Sequence, residues 1–118
     1  MEQSLYVKYE SRLTSGMAEC VYDRALGDDK LAPFFAGIDI EVLRDHLADF
    51  LTVLTGGPDL YKGKDIYEAH KDFTITEAHF DRLMQHIAAA AAELEIDPDD
   101  ITAVAAAITS LKDKVVTA

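Results

Sequence analysis

Apolar residues at positions 40, 43, 47, 50 and 54 step by three and four, the spacing that gathers side chains on one face of a helix. Asp39 stands where a helix N-cap accepts backbone N–H groups, and Gly56-Gly57-Pro58 breaks the pattern beyond Thr55. Together they predict one amphipathic helix over residues 39–55. His46 falls one turn from Leu43 and from Phe50, so it borders the apolar face. After the glycine break, Ile66 and Ala69 mark a second, short helical segment that ends at His70.

The rest of the chain repeats the helical period. Residues 5–9 read as a short first helix or arm. A polar patch over 11–16 leads into a helix over 17–26 that sets Met17, Val21 and Ala25 on one face, flanked by Cys20 and Tyr22. Gly27 fits a helix stop. Asp28 caps a single turn over 29–31, which Pro33 is expected to interrupt, and Phe34 and Phe35 follow in a corner. Residues 72–75 are a connector. Thr76 caps the next helix, whose stripe is Phe80, Leu83, Met84, Ile87, Ala91 and Leu94. The alanines at 88–92 suit a close approach to a neighbour. Asp97 and Pro98 stop that helix and start the last one, with Asp97 as cap, and Ile101, Val104, Ala105, Ile108 and Leu111 line it. No period-2 stretch and no internal repeat occurs. The pattern describes an all-α chain, expected as a single domain over 1–118, with about four substantial helices and two or three short ones.

Composition narrows the function. Apolar residues make up 49% of the chain, enough for a real core. The net charge of −11 argues against a nucleic-acid binder, which must neutralise phosphates, and against docking on an anionic membrane. No apolar run approaches the ~20 residues that span a bilayer, and the N-terminus lacks a signal pattern. A cytoplasmic monomer is expected. Cys20 is the one cysteine, read as a small buried hydrophobe.

Candidate chemistry rests on the histidines at 46, 70, 79 and 86. Covalent haem attachment through Cys-x-x-Cys-His, a phosphate loop, a nucleophile elbow and a His-Glu-x-x-His zinc site are all missing. His79 and His86 share a helix face two turns apart (~10 Å), too far to chelate one ion, and read as structural. His46 and His70 are separated by the glycine break, with Tyr22 and two phenylalanines upstream. Two imidazoles on opposite walls of one apolar slot suit a flat ligand with a metal at its centre. By the residues alone, a ligand pair and two structural histidines both stand.

Residues 21–37, the run Gly56-Gly57-Pro58-Asp59-Leu60-Tyr61-Lys62-Gly63, then Glu68-Ala69-His70 and Glu77-Ala78-His79-Phe80 occur in an order and spacing that resemble the group 1 truncated haemoglobins. These are two-over-two helical globins, and the likeness is strongest to the cyanobacterial type. The resemblance implies a haem b iron held by His70 on the proximal side, with Tyr22 as the distal hydroxyl and Phe35 as the ring that wedges the haem. It implies a pocket lined by Leu43, Leu47, Phe50, Ile66, Ile75, Phe80 and Met84. Cyanobacterial relatives have a histidine at the position of His46, where it binds iron in the absence of a gas. Arg44, Lys64 and Lys71 are the cations expected near the propionates. This chain departs from the family twice. Tyr9-Glu10-Ser11 stands where a glycine pair is usual near the end of the first helix, and Leu47 stands where a distal glutamine is frequent. No histidine follows His86, so the vinyl cross-link of some relatives cannot form and the haem is expected to be non-covalent.

The function so implied is binding of dioxygen, nitric oxide or carbon monoxide, including oxygen transport, with nitric oxide dioxygenation as a turnover that needs a reductase. A six-coordinate haem with His46 and His70 on the iron, serving electron transfer or redox sensing, is the alternative. A haem-free acidic interaction module is the third reading.

Overall fold

A computed structural model describes residues 4–57, 70, 71 and 73–117, and every described element is helical or irregular. Helix α1 spans Leu5–Tyr9, with the Ser4 hydroxyl accepting from the Val7 N–H at 3.2 Å. A 3-10 turn over Glu10–Leu13 passes directly into α2, Ser15–Leu26. That helix begins two residues before the expected start. Ser15 and Gly16 belong to its first turn, where unsatisfied N–H groups tolerate polar residues, and the Thr14 carbonyl already accepts from Ala18 at 2.9 Å. Pro33 does not interrupt a turn as expected. It sits inside the first turn of a 3-10 helix, Ala32–Phe35, where its missing N–H is no loss. Helix α3 is Ile40–Leu54, and Asp39 caps it through Glu41 at 3.0 Å, as the pattern requires.

Helix α4, Glu77–Glu93, carries a reciprocal cap. The Thr76 hydroxyl accepts from the His79 N–H at 3.2 Å, and the His79 ring Nδ1 accepts from the Thr76 N–H at 3.1 Å. Helices α5, Pro98–Thr109, and α6, Lys112–Val115, complete the described elements. Asp97 holds the N-cap position of α5 but does not cap with its side chain, because that carboxylate pairs with Lys8 at 3.2 Å. Cys20 is half-buried rather than buried: its thiol donates to Glu93 at 3.4 Å at the core's edge, and desolvation, then Glu93, push its pKa up.

Packing follows the apolar stripes. Helix α2 lies against α3 and α4, and α4 lies against α5, two helix pairs with α2 and α4 joining them. Leu13, Met17 and Val21 are fully buried at that junction. Ala90 and Ala91 meet them from α4, and their small side chains allow the close approach the alanine run suggested. Truncating a buried leucine or methionine of this kind costs about 2–5 kcal/mol.

The first helix docks without the family's glycine pair. Glu10 takes a φ of 51°, a conformation that a non-glycine residue adopts only under strain, of order 1–3 kcal/mol. Long-range contacts offset it. Tyr9 is buried, its hydroxyl donates to Asp100 at 2.5 Å and accepts from the Asp97 N–H at 3.1 Å, and Lys8 reaches Asp100 at 2.7 Å. Burial, then Asp100, raise the Tyr9 pKa, so the phenol stays protonated. At the far end of α3 the Thr55 carbonyl accepts from the Tyr6 N–H at 2.8 Å. Only glycine permits that approach, since a Cβ at Gly57 would stand 2.7 Å from the Tyr6 ring and Gly56 has a φ of +95°.

Candidate functional site

The residues singled out from the sequence that the structure describes fall on five stretches. Tyr22 is half-buried on α2, and its ring meets Phe35 edge to face with centroids 5.6 Å apart. Leu43, Arg44, His46, Leu47 and Phe50 are all half-buried on α3, and Leu47 also packs against the core. His70 and Ile75 are half-buried at either end of the connector, and Lys71 is exposed. On α4, Phe80 is buried with the Lys112 ammonium 5.6 Å from its ring centroid, and Met84 is half-buried against the core. Lys64 and Ile66 lie outside the described residues, as does the short helical segment expected before His70.

Helix periodicity explains the α3 set. Positions 43, 46, 47 and 50 share one face, whereas the buried Leu51, Thr52 and Thr55 lie to one side of it. His46 places a half-buried imidazole on that face, and Tyr22 brings a half-buried phenol from α2. Arg44 ties the two helices together, its guanidinium donating to Asp23 at 2.7 Å. The Arg44 Nε–H is itself buried and has no partner among the described residues. A buried donor of this sort suits an anionic acceptor.

The connector is fastened by residues the sequence did not single out. Thr117 bonds to both Phe73 and Ile75, and the Phe73 N–H donates to the His70 carbonyl at 3.0 Å. Phe34 stands edge-on to Phe73 (6.1 Å) and to His79 (4.9 Å). The Thr76-x-x-His79 spacing was a legible signal, a capping box with imidazole in place of carboxylate. Thr117 had none, since no local pattern marks a partner 42 residues away. A second polar group also emerges. Asp28 is buried and accepts from Arg82 at 2.5 Å, and one of its oxygens lies 2.7 Å from His86 Nε2. Arg82, then His86, hold its carboxyl well below the usual range. Among the described residues no group of three or more His, Cys, Asp or Glu side chains forms a metal cage, and no helix is long and apolar enough to cross a membrane.

The bacterial-like globin model matches residues 12–117. The chain is 32% identical to a group 1 truncated haemoglobin of Chlamydomonas moewusii over 115 residues, 95% of this chain and 67% of that protein. It is 39% identical to that of Tetrahymena pyriformis over 75 residues, 64% of this chain, and spans 62% of the length of that relative. Among solved structures, the Fe(III) form of the truncated haemoglobin of Tetrahymena pyriformis overlays with a TM-score of 0.89 at 30% identity, covering 97% of this chain and 98% of that one. A 2/2 haemoglobin of Synechococcus sp., in the cyanomet state and with covalently attached haem, overlays with a TM-score of 0.84 at 27% identity, covering 95% of each chain. With the helix pairing described above, these likenesses establish that the chain belongs to the bacterial-like globin family, as a group 1 truncated haemoglobin of two-over-two fold.

Proposed function

We propose that this chain holds one haem b non-covalently, with His70 as the proximal iron ligand, and binds diatomic gases on the side of Tyr22 and His46. The observation that carries the reading is the half-buried apolar face of α3, with Leu43, Leu47 and Phe50 around one imidazole. Family membership supports it. Bound there, haem supplies a ferrous iron that takes dioxygen, nitric oxide or carbon monoxide. The chain's own groups set the rest. The Tyr22 hydroxyl donates a hydrogen bond to the gas and slows its escape, and the edge contact with Phe35 fixes that ring's orientation. Leu43, Leu47, Phe50, Ile75, Phe80 and Met84 would exclude water, and Ile66, outside the described residues, belongs to the same expected lining. Arg44 and Lys71 would serve the propionates, as would Lys64, which lies outside the described residues. Oxidation of nitric oxide by dioxygen to nitrate, with an electron from a partner reductase, belongs to the same reading. A cytoplasmic monomer fits it.

His46 favours a second state. Half-buried on the same face of α3 as Leu43, Leu47 and Phe50, the His46 imidazole would hold the iron of the gas-free ferric protein and would have to leave before a gas entered. Visible spectra of the hemin-loaded chain test both readings. His70→Ala should abolish haem binding, or allow it only with added imidazole. His46→Leu should turn a low-spin ferric spectrum high-spin and speed carbon monoxide binding. A native-like ferrous carbonyl spectrum in His70→Ala, with its loss in His79→Ala, would reverse the proximal assignment. A wild-type chain already high-spin at neutral pH would remove the role of His46.

A further inference from the structure

We propose that Thr117 is a positioning residue: it clamps the connector after His70 and so fixes the imidazole for the iron. This rests on the haem reading above. The Thr117 hydroxyl accepts from the Ile75 N–H at 2.9 Å and donates to the Phe73 carbonyl, while the Thr117 N–H donates to the Ile75 carbonyl at 2.9 Å. One tail residue thus engages three backbone groups of a stretch that has no helix or strand to satisfy them. The ladder continues inward, since the Phe73 N–H donates to the His70 carbonyl at 3.0 Å. From the other sides, the Phe34 ring stands against Phe73 and His79, and the Thr76–His79 cap anchors the connector's end to α4.

The chemistry requires a hydroxyl. It must donate and accept at once, which threonine and serine do and the near-isosteric valine does not. Without it, the Phe73 carbonyl and the Ile75 N–H turn to water, and the backbone that carries His70 gains freedom. A loosened imidazole holds iron less long. Because Thr117 is exposed, its bonds compete with water and the overall fold does not depend on them.

The test uses the full chain as wild type, Thr117→Val and Thr117→Ser. Hemin transfer to an excess of a scavenging apoglobin and amide exchange at Ile75 are measured in parallel. Thr117→Val should lose hemin roughly three- to tenfold faster and exchange the Ile75 amide faster by a similar factor. Thr117→Ser should restore both. Faster exchange without faster hemin loss would overturn the positioning role, and no change in either would overturn the clamp. A serine variant as impaired as the valine one would assign the effect to the methyl group and overturn the hydroxyl mechanism. Failure of the wild-type chain to take up hemin would sink the haem reading and the positioning role with it. The exchange rates of the hemin-free variants would still report the clamp, so the two failures are distinguishable.

Discussion

Two neighbouring faces of α3 are both apolar in part, yet they are buried to different degrees. The face carrying Leu43, His46, Leu47 and Phe50 holds the helix's main apolar stripe and is half-buried. The face carrying Leu51, Thr52 and Thr55 holds two threonines and is buried, and those hydroxyls reach back to the Ala48 and Leu51 carbonyls at 2.8 and 2.7 Å. A helix that served only the protein core would bury its greasiest stripe deepest. Here the protein covers the adjoining face, where small hydroxylated side chains let α1 and the glycine break come close. On the haem reading proposed above, the stripe itself is left for a flat apolar partner.

Substitutions on the two faces should therefore separate. Leu51→Ala removes a fully buried side chain and should lower unfolding stability by about 2–5 kcal/mol, equally with and without hemin. Phe50→Ala should destabilise the hemin-free chain less, and the larger part of its effect should appear as weaker hemin retention. Urea unfolding of both variants in the two states measures this. Equal losses in the hemin-free chain would mean that the two faces are energetically alike.

The same contrast marks what the sequence makes legible. Period and caps located α3 and α4 and their starts at Asp39 and Thr76, because those signals are local. The pairing of helices was legible through resemblance. Residues acting over long range were not. Asp97 looked like a side-chain cap until Lys8 claimed its carboxylate, and Cys20 looked buried until Glu93 drew its thiol outward. Asp28 read as a turn cap, which it is toward the Lys30 N–H at 2.9 Å, but its deeper role needs α4. Of the proposed haem residues, the helical ones were legible as a face. What positions His70 was not, because Thr117 acts from the other end of the chain.

Asp28 offers a sharper control, since it ties α2's end to α4 away from the α3 stripe. Its folded pKa is depressed by Arg82 and then by His86, so the unfolded chain binds the extra proton. The contribution is whole above the unfolded value near ~3.9 and is lost as the pH falls through the acid range toward the folded value. Asp28→Asn should lower stability at neutral pH and flatten its decline between about pH 5 and 2. The change in slope should be the same with and without hemin. A slope that depends on hemin would show that this junction and the α3 face are coupled.

The smallest effect concerns Arg44, at the edge of the half-buried face. Its ion pair with Asp23 joins side chains that are 33% and 60% exposed, so solvent screens it and its net value is about 0–1 kcal/mol. Arg44→Ala should therefore barely shift the stability of the hemin-free chain. The Arg44 Nε–H is a different matter, being buried and without a partner among the described residues, so a propionate beside it would satisfy a donor that the protein leaves over. Arg24 provides the control. Its Nε–H is equally buried and without such a partner, but its guanidinium turns to Glu93 at 2.8 Å, at the α4 end of the molecule. Hemin loss should accelerate up to about fivefold in Arg44→Ala, the kinetic equivalent of a screened pair, and should not change in Arg24→Ala. Equal rates in the two variants would remove Arg44 from the propionate side and leave that role to Lys64 or Lys71.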